Sequence, residues 1–338
     1  MTTVLCYNQP NILFINVSLK KVRVILLSID GKSKERVVVS LTTFPKRIDT
    51  VNIVIESLLN QTVLPDKIYL WLGEDEFLNK EKDLPQKLLN LQSDVFEICW
   101  CKDIKSYKKL IPTLKKDENA VIITADDDVI YENRRIEILL NEHKKHPKDV
   151  ICHRAHYITF KDKNTLDKYN NWIFNSKYSK PTYNLLLTGV GMVLYPVNCF
   201  YGDIFREDLF MTLSSGTDDI WFWAMCVLAG TKIRKAKKSI KTLKYVDLTQ
   251  EDGLYFENVL NGRNDTNMNL MLKHYPELLD KLSYKKPCNI LSWIFSITNF
   301  SDKTHKVVKI FGLQIKFKRK LKNKVKNQKK SEENLLKV

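Results

Sequence analysis

With 338 residues, 44% of them hydrophobic and 28% charged, the chain has a globular composition and length for one large domain or two smaller ones, which excludes a disordered protein. Its formal net charge is +16, but roughly ten of those charges fall after residue 302, in KVVKIFGLQIKFKRKLKNKVKNQKK, so the basicity is no argument that the body binds nucleic acid. Seven scattered cysteines with no CxxC pair offer no disulfide framework and suit a reducing cytosol.

Residues 1–35 read as an N-terminal extension. Its apolar stretches at 11–16 and 22–29 are interrupted by Lys20, Lys21 and Arg23, so neither makes a spanning helix, and no secretory signal pattern is seen. RVVVSLTTFPKRI, 36–48, predicts a strand and a turn. DTVNIVIESLLNQ, 49–61, predicts a helix, with Asp49 as its cap and apolar residues at 51, 54, 55, 58 and 59 in helical spacing. VLPDKIYLWLGEDEF predicts a turn and a second strand, ending at Gly73, Glu74 and Asp75. LPQKLLNLQ reads as a short helix, and FEICWCKD as a third strand ending near Asp103. Cys99 and Cys101 flank Trp100 there and point the same way; buried free thiols are the expectation, with zinc or a disulfide as the alternative. SYKKLIPTLKKD predicts a helix bent at Pro112.

The next segment carries the chemistry. AVIITADDDVIY, 120–131, is a continuous β-branched strand that stops at Asp126, Asp127 and Asp128. Three adjacent carboxylates repel one another unless water or a cation screens them. One Asp would serve as a helix cap; three at the end of so apolar a strand offer hard oxygen ligands for Mn²⁺ or Mg²⁺. Strands alternating with helices predict a mostly parallel sheet with helices on both faces. Polar residues gather at the strand ends, namely Thr42, Arg47, Asp75, Asp103 and Asp126, as a nucleotide cleft at the carboxyl edge requires. The sequence holds no GxGxxG or Walker loop, so a metal would have to carry the phosphate charge.

The second half is less regular. YNLLLTGVGMVLYP, 183–196, brings two glycines into an apolar strand, which marks either a bulge or a close approach by another molecule. Ser214 to Thr217 is a turn, and Asp218 and Asp219 begin a helix whose apolar face includes Trp221, Ala224, Met225 and Leu228. Two Asp at a helix start also suit its dipole. Gln250, Asn261, Asn264 and Asp265 line either an acceptor pocket or a solvated loop, and His274 reads as surface.

In order and spacing, TTFPKRI, LLNQTVLPDKIYLW, ITADDDVIY and TDDIWFW resemble the bacterial family 2-like glycosyltransferases of the GT-A fold, over about residues 36 to 235. The chain departs from that family's usual first-strand turn and lacks the QxxRW motif of processive synthases, which weighs against a polymerase. The resemblance implies an α/β, GT-A-type, mostly parallel Rossmann-like sheet with helices on both faces, plus a basic C-terminal extension. It implies a domain over 36–285, with a donor half to residue 130 and an acceptor half after it. It places the metal on Asp128, with Asp126 at the ribose or the metal's water shell. It makes Asp219 the general base, with Asp218 orienting the acceptor. Thr42, Arg47, Asp75, Asp103 and Lys105 are candidates for holding the nucleotide, from their strand-end positions.

Residues 286–338 mix aromatic and aliphatic side chains with Lys and Arg, and 318–338 read as a disordered tail. Such a segment suits an anionic membrane surface as helix or strand, with nucleic acid as the rival partner. The expectation is a metal-dependent, inverting glycosyltransferase acting on a nucleotide-sugar donor and a glycan or lipid-linked acceptor, peripheral on the cytoplasmic face of the membrane. A sugar nucleotidyltransferase and a non-catalytic glycan- or membrane-binding module are the alternatives.

Overall fold

The structure, a computed structural model, describes residues 3–8, 11–18, 21–25, 35–238, 243–247, 249, 258, 262–284, 295–299, 305–310 and 313–318. It divides into two units, Met1–Tyr284 and Lys285–Val338. The first begins with an antiparallel meander, β1 (Thr3–Asn8), β2 (Asn11–Ser18) and β3 (Lys21–Ile25), with Asn8 opposite Asn11 and Ser18 opposite Lys21.

The apolar runs then become the predicted strands, β4 (Val37–Thr42), β5 (Lys67–Gly73), β6 (Phe96–Cys101) and β7 (Val121–Thr124), all parallel to one another. After them come β8 (Val129–Ile130), β9 (Val150–Cys152), β10 (Ala155–Tyr157), β11 (Phe160–Asp162), β12 (Thr165–Leu166), β13 (Leu185–Leu187), β14 (Val193–Tyr195), β15 (Ile233–Lys235) and β16 (Lys244–Tyr245). The central sheet has seven strands in the order β15-β9-β14-β7-β4-β5-β6, and β14 runs antiparallel to both of its neighbours. Small two-stranded sheets pair β10 with β13, β11 with β12 and β8 with β16.

Alternate side chains of the strands feed two large cores, and Val38, Tyr69, Trp71, Cys99 and Ala120 form a smaller third cluster. Val39, Leu41, Leu70, Val121 and Ile123 meet helices α1 (Val51–Leu59), α2 (Gln86–Leu89) and, beyond α3 (Ile111–Lys116), α4 (Arg135–His143). On the other side, Ile122, Val150, Val193 and Tyr195 meet α5 (Glu207–Leu213), α6 (Asp218–Leu228), α7 (Arg263–His274) and α8 (Glu277–Lys281). Burying one such aliphatic side chain contributes about 1.5–3 kcal/mol, so these faces hold the sheet between its helices. The fold is therefore the expected mostly parallel α/β sheet covered on both faces. Helix α6 is buried on more than the predicted stripe: Ile220 through Val227 are all at most 1% exposed, because the helix lies inside the second core.

Several local expectations change. The helix at α1 starts at Val51 and Asp49 is exposed before it, because a 3₁₀ turn at Pro45–Arg47 takes up the approach. The segment around Pro112 is no bent helix. A 3₁₀ turn at Lys105–Lys109 breaks at Leu110, and Pro112 sits in the first turn of α3, where its missing N–H costs nothing. The glycine segment is two strands, not one: Gly189–Gly191 form a 3₁₀ turn that carries the chain from β13 into β14 and the central sheet. Residues 263–274, read partly as loop, form α7. Cys99 is a buried free thiol and Cys101 a half-buried one, and burial pushes them up to about 12 and about 11.

The second unit is an antiparallel meander of β17 (Phe295–Asn299), β18 (His305–Ile310) and β19 (Leu313–Lys318). The strand reading of LQIKFK holds there, while residues 319–338 lie outside the described residues. Among the described residues no helix is long and apolar enough to cross a membrane.

Candidate active site

A cleft of about 730 Å³ opens at the carboxyl ends of β4 and β7. Parallel strands end there with backbone carbonyls and loops facing outward, the usual place for a ligand in such a sheet. Its walls include both acidic groups singled out from the sequence, Asp126–Asp128 and Asp218–Asp219, together with Thr42, Arg47 and Lys105. Asn264 also lines it, whereas Asp265 accepts the backbone N–H of Tyr169 at 2.7 Å. His274 is exposed, and Gln250 and Asn261 lie outside the described residues.

The three Asp of the triplet have separate surroundings. Asp127 is 6% exposed, and Arg47 Nη1 and Thr43 Oγ1 donate to its two oxygens at 2.7 and 2.6 Å. Burial pushes its carboxyl up, against the pull of Arg47. The same Arg47 Nη1 lies 3.2 Å from Asp128 Oδ2, and Nη2 donates to the Thr249 carbonyl at 2.7 Å. Arg47 thus screens the triplet, with its guanidinium held by protein groups. Asp126 and Asp128 flank Asp127 with part of their carboxylates open to the cleft.

Across the cleft, neither Asp218 nor Asp219 caps its helix. Asp218 Oδ2 pairs with Lys109 Nζ at 2.8 Å, and both oxygens of Asp219 accept the Gly189 N–H, at 3.0 and 3.1 Å. Burial and the neighbouring Asp218 charge push the Asp219 carboxyl up to about 7, with Lys109 opposing. Gly189 is a close approach: a Cβ there would stand 2.7 Å from Lys109 Nζ and 3.1 Å from Asp219 Oδ1.

Lys109 is the residue that sequence reasoning missed. Its Nζ lies 2.9 Å from Asp126 and 2.8 Å from Asp218, so one buried ammonium joins the two acidic groups. Tyr107 explains the placement. Its ring stacks on Phe210 with centroids 4.2 Å apart, and its hydroxyl donates to the Ser214 carbonyl at 2.7 Å. That ties the lysine turn to the loop before α6. The only signal in the sequence was a KK pair ahead of an apolar segment, which ordinarily reads as solvent-exposed charge. Replacing Lys109 with Met should destabilise the fold by about 3–5 kcal/mol, since it strands buried carboxylates. It should also raise the apparent pKa of Asp219. Urea unfolding and a pH titration measure both, and unchanged values would show that Lys109 does not hold this cluster.

The strand-end candidates divide. Asp103 accepts from the Lys105 backbone at 2.9 Å and pairs with the side chains of Lys105 and Lys108. Burial works against its charge, but the two ammonium groups hold the Asp103 carboxyl down to about 2. Asp103 is therefore a partner for lysines at the rim, and Asp75 is exposed in the turn after β5, outside the cleft lining. Thr42 Oγ1 donates to the Trp71 carbonyl at 2.8 Å.

The fold and this cleft define an α/β protein with a mostly parallel sheet and two acidic groups facing one carboxyl-edge cavity. No family model and no curated protein matches the chain. Similar solved structures include a CMP:2-keto-3-deoxy-manno-octonic acid synthetase complexed with CTP, at 14% identity, over 64% of this chain and 93% of that one, with a TM-score of 0.39. TarS from S. aureus is similar at 14% identity, over 73% and 70%, with a TM-score of 0.43. The mannosyltransferase PcManGT from Pyrobaculum calidifontis, in complex with GDP-Man and Mn²⁺, is similar at 10% identity, over 74% and 67%, with a TM-score of 0.47. Likeness at this level says nothing of what this chain binds, so its function is argued from its own cleft.

Proposed function

We propose that this chain is a metal-dependent glycosyltransferase that moves a sugar from a nucleotide-sugar donor to a glycan or lipid-linked acceptor, with inversion, in bacterial surface polysaccharide or lipooligosaccharide synthesis. The observation that carries the reading is the meeting of Asp126–Asp128 and Asp218–Asp219 across one cleft, joined by Lys109.

Among the described residues no group of three His, Cys, Asp or Glu is arranged as a metal cage. The donor set nevertheless fits Mn²⁺ or Mg²⁺ bound together with a diphosphate. Mg²⁺ in particular takes one or two carboxylates and completes its shell with phosphates and water. Asp126 and Asp128 supply those carboxylates at the cleft wall. When bound, such a cation offsets the charge that grows on a diphosphate leaving group. Asp219 takes the proton of the acceptor hydroxyl as that oxygen bonds to the anomeric carbon and the bond to the diphosphate breaks. Asp218, charge-balanced by Lys109, orients the hydroxyl. Thr42 and Lys105, on the cleft wall, face the nucleotide.

A panel of nucleotide sugars with Mn²⁺, scored by donor-dependent thermal shift and product formation, tests the reading. Binding and turnover of one donor supports it. Nucleotide triphosphate and free sugar acting as substrates would favour a sugar nucleotidyltransferase, and no shift with any donor would favour a binding module.

The C-terminal unit is proposed to hold the protein on the cytoplasmic face of the membrane through its lysines. Each basic residue near an anionic surface contributes about 1 kcal/mol, within a Debye length. Removal of residues 303–338 should release the protein from anionic vesicles in sedimentation while sparing activity on a small soluble acceptor. Equal sedimentation with neutral and anionic vesicles would remove the electrostatic argument, and salt-sensitive binding to RNA alone would move the segment to nucleic acid.

A further inference from the structure

Beside the main cleft lies a second cavity of about 220 Å³. Arg154 and Tyr245 line both, so the two spaces adjoin. Its other walls are Arg135, His153, Asn175, Gly191 and Leu243. The main cleft is built on carboxylates, yet this pocket has none among its described lining residues.

Arg154 differs from four other cationic groups of the cleft. Arg47, Lys105, Lys108 and Lys109 are each paired with carboxylates. Among the described residues Arg154 makes no ion pair, and its Nη1 donates to the neutral Thr188 hydroxyl at 3.2 Å. A guanidinium has five donors in a planar fork that matches an oxyanion. Most of those donors remain for a ligand.

The floor adds an acceptor. His153 is 1% exposed, and its Nε2 lies 3.0 Å from the Arg135 carbonyl. A carbonyl only accepts, so the ring proton is on Nε2 and Nδ1 presents a lone pair. Burial holds the imidazole neutral, down to about 4. Nδ1 is buried and has no hydrogen-bond partner among the described residues. A buried acceptor left without a donor costs about 1–3 kcal/mol, which a ligand hydroxyl would recover. Gly191 keeps the pocket wall close: a Cβ there would stand 2.9 Å from the Arg154 Cβ.

We propose that this side pocket binds an acidic saccharide, with Arg154 on its oxyanion and His153 Nδ1 accepting from a hydroxyl. The ligand then needs both features at once, an oxyanion and a neighbouring hydroxyl, within the volume of about one monosaccharide. A sugar carboxylate and a sugar phosphate both present them. The assignment to a saccharide rests on the transferase reading of the adjoining cleft, but the binding does not require turnover.

The test titrates the full chain calorimetrically with glucose, glucuronate, glucose 6-phosphate and inorganic phosphate. At least one sugar acid should bind about 10- to 100-fold more tightly than glucose and than inorganic phosphate, the range of a hydrogen bond to a charged group. The tighter of the two acids identifies the oxyanion. Arg154→Gln should erase the preference and Arg154→Lys should keep part of it. Equal binding of all three sugars, a preference that survives Arg154→Gln, or inorganic phosphate binding as tightly as the sugar acids would each overturn the proposal. Acid-selective binding without any sugar transfer would sink the transferase reading and leave the pocket; transfer without acid preference would do the reverse.

Discussion

Asp219→Asn is expected to lower kcat by about 10² to 10⁴, the usual loss when a general base is removed. The amide keeps the size of the carboxylate and one acceptor for the Gly189 N–H, which the native side chain meets with both oxygens. Donor affinity should therefore stay near normal. The native protein should also show a rising limb of kcat with pH, since the Asp219 carboxyl is pushed up to about 7 by burial and the Asp218 charge. A base must be deprotonated to work, so activity is low below that pH and levels above it. The sign for stability is the opposite. A carboxyl raised above its ordinary 3.8 holds a proton that the unfolded chain gives up, so the favourable contribution is complete below that value and lost as pH rises through about 7. The Asn variant should lose both dependences. Steady-state kinetics with a donor titration decide the matter: intact kcat with weakened donor binding would make Asp219 a structural residue.

Asp128→Ala is expected to abolish Mn²⁺-dependent donor binding while the fold survives. Asp128 stands at the cleft wall, beyond the end of β7, and its Oδ2 lies 3.2 Å from an Arg47 that remains anchored on Asp127. Losing one hard ligand from a site that offers only two carboxylates leaves Asp126 alone, and Lys109 already holds one of its oxygens at 2.9 Å. Calorimetry of donor binding with and without Mn²⁺, and circular dichroism for the fold, are the measurements. A variant that binds donor as before, or a native protein indifferent to chelator, would remove the metal from the reading.

Much of this architecture was legible along the chain because its signals are local. Val121 to Ile123 are β-branched and followed at once by three Asp, so a buried strand with an acidic end is written in adjacent residues. Helical spacing at 51, 54, 55, 58 and 59 likewise marks α1, and four of those five positions are fully buried. Asp218 and Asp219 were visible as a pair at a helix start for the same reason.

Only the tertiary structure decided what each of these carboxylates meets. Lys109 comes from a 3₁₀ turn between β6 and α3, and joins Asp126 to Asp218 across a separation of more than 90 residues that leaves no periodic trace. Arg47 and Asp103 read alike as strand-end ligands. Contact with Asp127 and Asp128 makes the first a screen for the triplet, and contact with two lysines makes the second their anchor. The two glycines read equally well as a bulge, and the fold makes them a turn between sheets that lets Gly189 reach Asp219. Local pattern sets which residues are strand, helix or polar edge; the pairing of buried charges depends on distances between segments far apart in the chain, and those distances exist only once the sheet has formed.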